Sequence, residues 1–335
     1  MPGLSPRALR RIKIAVSALL VAVLLWFLDL EAILAALAGT DPALLVLALA
    51  MVLANRVLMP VKWNMLLRAR AIRLSHIDAV RIYTISSFLG LVLPPTVGAD
   101  SVRSYYLNRR GLALSDTVAS IAVERVFGLV VLLAFTVTGF VLLVDLLRTG
   151  SIPWQAFSLA LTAITAAALV AVLVSFSDRF RRLAGTLAGR ADSSRLGRLA
   201  RGVDRLVGAY QDYRLHKGIL AAFCALTAVE LCLVIVRSYV VALALGVELP
   251  LVVYFAFLPF VTLMNRMPIS FDGFGINEAL FIYFLALFGV PGEQGFVIGL
   301  VNHMLFLVGV MPGAVFYVLA KPPAKGIDGS AHARD

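Results

Sequence analysis

Charged side chains occur inside segments of the chain that are otherwise apolar. On insertion scales, a charge at the centre of a membrane helix costs about 2.5–3.5 kcal/mol, so its retention indicates a ligand or a partner. Arginine suits phosphate, because its guanidinium donates two parallel hydrogen bonds. Ion pairing between helices is the alternative for each residue, and the sequence leaves both open. The candidates are Arg56, Glu124, Arg125, Glu230, Arg237, Arg266, Asp272 and Glu278.

Proline and glycine interrupt two of the apolar segments, at 93–98 and at 267–275. Non-helical backbone in a bilayer must be buried in protein or line a wet cavity, because unpaired N–H and C=O groups are costly there. The helix after each break begins with free N–H groups, which suit an anion such as phosphate. Asp100 and Asn277 are placed to cap these helices, and capping and ligand binding both remain open for them. Arg125 and Arg266 each lie close to a break.

The sequence lacks motifs for nucleotide, metal or covalent chemistry. It has no Gly-rich loop that ends in Lys-Ser/Thr, no nucleophile elbow and no pair of zinc ligands. Its four histidines are scattered, and Cys224 and Cys232 are too far apart on one predicted helix for a disulfide. We therefore predict no cofactor and no metal, and the pattern favours a transporter over an enzyme.

Composition predicts the elements that carry these residues. Of 335 residues, 61% are hydrophobic and 15% are charged, whereas soluble domains have roughly 25% charged residues. The core of a soluble fold could not cover so much apolar surface. We predict an all-α polytopic membrane protein with about six full spans and two re-entrant helical hairpins in an inverted-topology repeat. The spans are expected at about 14–28, 43–61, 117–144, 154–176, 218–247 and 295–319.

The distribution of positive charge predicts the orientation of the chain. The net charge is +11, and 25 of the 30 Lys and Arg residues fall in 1–13, 62–110, 179–217 and 321–335. Arg148 is the only Lys or Arg residue in the predicted outer loops, which are 29–42, 145–153, 246–250 and 290–294. Because basic loops stay on the cytoplasmic side, we expect a multi-pass protein of the cytoplasmic (inner) cell membrane with both termini in the cytoplasm. Topology and anionic lipid account for the basic residues, so nucleic acid is not a predicted partner.

The two interrupted segments are predicted to enter the membrane and return to the same side. Basic residues flank 82–98 on both sides, so a full crossing would place one basic cluster outside. Each limb would have about 14 residues, or roughly 21 Å of helix, against a hydrocarbon core of about 30 Å. The first repeat is predicted at 43–147 with a hairpin at about 80–111, and the second at 218–320 with a hairpin at about 250–290. Ordinary loops between full spans are the alternative.

The repeats belong to a single predicted membrane domain, 1–335. Between them, 177–217 is a basic linker with apolar residues at helical spacing, typical of an amphipathic helix that lies on anionic lipid. A plain connector is the alternative. The segment 321–335 is a predicted cytoplasmic tail.

Two ordered motifs resemble a known family of membrane proteins. The first is SFLGLVLPPTVGADSVRSYYL at 87–107, with SIAVERVFGL at 120–129, and the second is PISFDGFGINEA at 268–279. Over roughly residues 10–320, the chain resembles the flippase-like transmembrane domain of lysylphosphatidylglycerol synthases and their stand-alone relatives. Three positions depart from the family's usual pattern, Ala99, Met267 and Asn277, and they bear on the identity of the headgroup.

The resemblance implies a lipid flippase, and it implies no lipid aminoacylation, because the soluble aminoacyl-transfer domain has no counterpart after the last predicted span. It marks as motif positions Asp100, Arg103, Glu124, Arg125, Gly273, Gly275 and Glu278. With the charges and breaks described above, the predicted substrate-binding residues are Asp100, Arg103, Glu124, Arg125, Arg237, Arg266, Asp272, Gly273, Gly275, Asn277 and Glu278.

The favoured function is movement of an anionic lipid, a phospholipid or a polyprenyl phosphate, between leaflets. The second hypothesis is a membrane-embedded enzyme that acts on a lipid carrier, with Asp100, Glu124, Asp272 and Glu278 as acid, base or metal ligands. The third is an accessory subunit that recruits a partner enzyme. The predicted partners are the membrane and an anionic lipid, and a homo-oligomer or a lipid-modifying enzyme partner is left open.

Overall fold

The fold is helical throughout the part of the chain described by the structure, a computed structural model. It describes residues 31, 38–92, 98–147, 152–176, 206–267, 270 and 273–319, and none of these forms a strand. The prediction of an all-α protein is confirmed. In chain order the helices are α1 (Pro42–Ala69), α2 (His76–Val92), α3 (Gly98–Asn108), α4 (Leu114–Leu147), α5 (Ile152–Ser175), α6 (Lys217–Ala244), α7 (Leu251–Asn265), α8 (Ile276–Ala286), α9 (Gly292–Val310) and α10 (Pro312–Leu319).

Within the described ranges, four helical stretches are long and apolar enough to cross a bilayer: α1, α4, α6, and α9 continued by α10. The chain is therefore a multi-pass helical membrane protein. α1 begins with Pro42, and the Asp41 carboxylate accepts a hydrogen bond from the Ala43 amide at 2.8 Å. The last predicted span is divided in two at Met311, because Pro312 has no N–H to continue the helix.

Some of the predicted features lie outside the described residues. They are the first span at about 14–28, the greater part of the linker 177–217, the tail 321–335, the tip of the first hairpin at 93–97, and Asp272.

Two groups of four helices correspond in order and length. α1 and α6 both have 28 residues, α2 and α7 have 17 and 15, and α3 and α8 both have 11. The fourth members, α4 and α9, are long. Helices of 11 residues extend only about 16 Å, roughly half of a hydrocarbon core.

The same two groups also correspond in packing. Consecutive members pack together in each group, and the first member also packs against the fourth. Between the groups, α1 packs against α6, α1 against α9, and α4 against α6. α4 also lies along α7, and α2 touches α9 in the equivalent place.

Glycines allow the closest of these approaches. A Cβ built on Gly139 of α4 would lie 2.6 Å from the Ala256 carbonyl oxygen of α7. A Cβ on Gly295 of α9 would lie 2.9 Å from the Ile282 Cα of α8. Small residues therefore let the short helices dock on the long ones, as in other membrane helix pairs.

The cytoplasmic end of α1, as predicted from charge, is joined to the segment before α6. Arg70 donates hydrogen bonds to Asp116 at 2.7 Å and to Asp212 at 2.6 Å. The Tyr213 hydroxyl donates to the Leu66 carbonyl at 3.0 Å. Burial lowers the pKa of Arg70, but the hydrogen bonds to the two carboxylates outweigh it, so that pKa lies above its ordinary value. These contacts fix the start of α6 against α1 and α4.

Candidate functional site

The first group of predicted residues forms one ion-pair network between α3 and α4. The Arg103 guanidinium is 2% exposed and donates to Asp100 and to Glu124, at 2.6 Å each. It also lies over the rings of Trp63 and Tyr83, 5.2 and 4.8 Å from their centroids. The Tyr83 hydroxyl donates to the second Glu124 oxygen at 3.0 Å. Arg103 therefore holds α3 against α1, α2 and α4.

Arg125 completes this network. Its guanidinium donates to both oxygens of Asp100, at 2.8 and 3.2 Å, while its side chain remains 58% exposed. The network thus contains two arginines and two carboxylates, and its formal charges cancel. This geometry matches the ion-pairing alternative for Glu124, and Asp100 and Arg103 are its partners in the same network. Arg125 alone among the four presents much of its surface outward.

The second group surrounds the start of α8. Gly273 and Gly275 have φ values of +84° and +83°, which glycine adopts without strain, and they form the turn that precedes this helix. Glu278 is 1% exposed and accepts from the Gly275 amide at 2.6 Å. His303 of α9 lies 3.3 Å from the other Glu278 oxygen.

Asn277 does not take the capping role, one of the two roles left open for it. The N-cap is Gly275, and Glu278 supplies the side-chain acceptor for it. Asn277 is the second residue of the helix, where its side chain accepts from Asn265 of α7 at 2.9 Å and donates to the Gly299 carbonyl of α9 at 3.0 Å. It therefore joins α7 and α8 to α9.

The two groups use the same arrangement of charges. In each, a carboxylate in the first turn of an 11-residue helix contacts a basic residue of the next long helix. The pairs are Asp100–Arg125 and Glu278–His303, and the two basic residues occupy equivalent places along α4 and α9.

A cavity of about 260 Å³ lies between α1, α6, α7, α8 and α9. Arg237 and Arg266 line it, and neither forms an ion pair within the described residues. Two other interior cations are neutralised, since Lys62 pairs with Glu230 and Arg103 with two carboxylates, whereas Arg56 donates to the Phe306 carbonyl. The polar residues of the lining are Asn55, Arg237, Ser238, Thr262, Asn265, Arg266, Asn277, Asn302 and His303.

This cavity adjoins the Arg103 network. Arg266 lies within electrostatic range of Glu124, Arg125 and Glu230. The Asn302 amide accepts from Ser238 at 3.0 Å and so ties α9 to α6 beside Arg237. The cavity and the Arg103 network are thus neighbours.

Sequence reasoning missed part of this lining. Asn55, Asn302 and His303 line the cavity, and Lys62 neutralises Glu230, but none of the four was among the predicted site residues. Their signal was a polar residue within an apolar helix, the same signal that marked Arg237.

The carboxylates of the enzyme hypothesis are divided between two networks. Asp100 and Glu124 share Arg103, whereas Glu278 belongs with Gly275 and His303. Among the residues described, no cluster of three or more His, Cys, Asp or Glu side chains could hold a metal ion.

Comparison with known proteins decides the family. The Lysylphosphatidylglycerol synthase TM region matches residues 11–313. The chain belongs to this family. The resemblance of the motifs around Asp100 and Gly273 is thus confirmed.

The chain is also similar to "Glycosyltransferase AglD" of Haloferax volcanii, with 29% identity over 318 residues. That match covers 84% of this chain and 50% of the relative, so the chain spans about half the length of that protein. Family and relative together indicate a membrane function related to lipids.

Proposed function

We propose that this protein moves an anionic lipid, of the phospholipid or polyprenyl-phosphate type, between the two leaflets of the cell membrane. One observation carries the proposal: Arg237 and Arg266 line a cavity among membrane helices and have no carboxylate partner in the described part of the chain. Arg237 is half-buried and Arg266 is exposed, and a guanidinium without a counter-charge among membrane helices is costly to the extent that it is desolvated. A ligand that brings negative charge removes that cost.

The lipid phosphate binds between Arg237 and Arg266 in this proposal. Each guanidinium can donate two hydrogen bonds to phosphate oxygens. Asn55 from α1 lines the same cavity and supplies further polar contact. The Arg103 network has no net charge to offer, so its task is to hold α3 in position beside the cavity.

The helix lengths support two re-entrant hairpins, α2–α3 and α7–α8, in place of full crossings. α3 and α8 are each about 16 Å long and so too short to span the membrane alone. The correspondence of α1–α4 with α6–α9 supports a repeat, and the charge of the loops favours an inverted arrangement of its two copies. In inverted repeats, substrate binds near the midplane between broken helices, and one repeat rocks against the other.

A second candidate is a membrane module that serves a glycosyl-transfer enzyme on a lipid carrier. The observation that favours it is the similarity to a relative named as a glycosyltransferase, of which this chain spans half. The cavity suits it equally, since a lipid carrier holds its sugar through phosphate. Co-purification of a stable enzyme partner, with no lipid movement by this chain alone, would favour this candidate.

Purified protein in vesicles tests the proposal. Fluorescent phosphatidylglycerol in the outer leaflet is bleached by an impermeant reductant, and the unbleached fraction reports movement. We expect the protein to accelerate movement of phosphatidylglycerol and to leave phosphatidylcholine at the rate of protein-free vesicles. Equal acceleration of both lipids contradicts the proposal, and so does acceleration of neither if a labelled polyprenyl phosphate in the same vesicles also stays in its leaflet.

A further inference from the structure

A second concave feature lies on the side of the first hairpin, away from the cavity. It is a groove of about 540 Å³ between α3 and α4, and we call it the α3–α4 groove. Its volume lies within the range of about 300–1,000 Å³ that suits small-molecule ligands.

The two walls of the groove differ in chemistry. The α3 wall consists of Asp100, which is paired with Arg125, and of Ser101, Ser104, Tyr105 and Asn108, which share one face of the helix at i, i+3, i+4 and i+7 spacing. Ser101, Tyr105 and Asn108 are exposed, although this helix follows a break in an apolar segment.

The α4 wall is aliphatic. Leu114, Val118, Ile121 and Ala122 line it, and Leu114 is 52% exposed. One wall thus carries hydroxyl and amide groups, and the opposite wall carries aliphatic groups. A lipid suits both walls at the point where its polar headgroup meets its apolar chain.

One end of the groove carries an ion pair and the other a cation. Arg125 follows Ile121 and Ala122 on the same face of α4 and is paired with Asp100, which lines the inner end. At the other end, about 14 Å away along α3, Arg109 donates to the Tyr105 hydroxyl at 3.1 Å and lies over its ring. The Arg125–Asp100 pair has no net charge, so Arg109 supplies the charge that complements an anionic headgroup.

We propose that the α3–α4 groove is a lateral docking site for one anionic membrane lipid, which travels along it from the bilayer to the interior. The phosphate follows the polar wall from Arg109 to Arg125, while the acyl or prenyl chain stays on the aliphatic wall. This inference rests on the proposed function, because it supplies the path by which a lipid reaches the cavity beside Arg266.

Photolabelling tests the groove independently of transport. Vesicles contain a phosphatidylglycerol analogue with a photoreactive group near the headgroup, and a phosphatidylcholine analogue serves as the charge control. The variant carries Ser104→Leu and Ser101→Leu, which remove two hydroxyls that make no hydrogen bond within the described residues. The matched control is Thr138→Leu, an exposed position farther along α4. Movement of labelled phosphatidylglycerol is measured on the same preparations.

We expect the anionic analogue to label the peptide 101–122. Loss of two hydroxyl contacts should reduce both labelling and lipid movement by roughly tenfold, and Thr138→Leu should change neither.

Labelling that is absent from the wild type, equal for both analogues, or unchanged in the double variant overturns the inference. So does a double variant that loses labelling yet moves lipid at the wild-type rate. A wild-type protein that is labelled but moves no lipid overturns the proposed function and leaves the docking site standing.

Discussion

At the scale of single residues, interior charges fall into two kinds. Arg103 and Lys62 have carboxylate partners and join helices. Arg237 and Arg266 have none in the described part of the chain, and both line the cavity. A paired charge contributes to the fold once its partner is present, whereas an unpaired one weakens the fold and strengthens anion binding.

This difference predicts opposite effects for the same substitution. Arg237→Met should raise the melting temperature in detergent, because it removes an unpaired charge from the interior. It should also weaken binding of an anionic headgroup roughly tenfold to a hundredfold, through the loss of charge-assisted hydrogen bonds. Arg103→Met should instead destabilise the protein by about 3–5 kcal/mol, because it leaves the Glu124 carboxylate unpaired.

Thermal unfolding of both variants, followed by circular dichroism, measures these effects. A loss of stability in Arg237→Met as large as that in Arg103→Met would show that Arg237 is also a structural residue, against the site proposed here.

At the scale of elements, the short helices depend on close contact with the long ones. Gly139 lets α4 lie against α7, where its missing side chain makes room for the Ala256 carbonyl. Gly128 lies on the same helix, and a Cβ there would meet nothing within 4 Å. The two glycines therefore form a matched pair.

We predict that Gly139→Ala separates α4 from α7 and destabilises the protein by about 1–3 kcal/mol, the usual cost of overpacking. Gly128→Ala should be neutral or stabilise the protein by up to about 1 kcal/mol, because alanine favours a helix. Melting temperatures of the two variants in one detergent provide the test. Equal effects at the two positions would contradict the packing of α4 on α7.

The sequence predicted the positions of the helices more completely than it predicted the contacts of the site residues. Apolar length and loop charge indicated α1, α4, α5, α6 and the final span, and proline and glycine indicated the breaks before α3 and α8. The division of the last span at Met311 was missed, although Pro312 carried the signal. At the site, the sequence could mark Arg103 and Arg237 alike as buried cations. Only tertiary packing decides that Arg103 meets Asp100 and Glu124 while Arg237 faces a cavity.

At the scale of the whole molecule, loop charge and the two corresponding groups of helices predict how the chain lies in the membrane. The ends of the α2–α3 segment should both face the cytoplasm, and those of α7–α8 should both face outward. A single full crossing by either segment would place its ends on opposite sides.

Single cysteines distinguish these arrangements. On a background without Cys224 and Cys232, we expect Ile77→Cys and Asn108→Cys to react with an impermeant thiol reagent only from the cytoplasmic side. Glu248→Cys and Glu293→Cys should react only from the outside. If the members of either pair react from opposite sides, that segment is a single broken crossing, and the inverted repeat is wrong.

The central claim is that Arg237 and Arg266 together hold the phosphate of a membrane lipid. Mass spectrometry of lipids retained by the purified protein tests this most directly, with the wild type compared with an Arg237→Met, Arg266→Met variant. We predict that the wild type retains an anionic phosphate-bearing lipid well above its proportion in the membrane, and that the folded variant retains it only at the membrane proportion. An identical set of retained lipids in both proteins would contradict the claim.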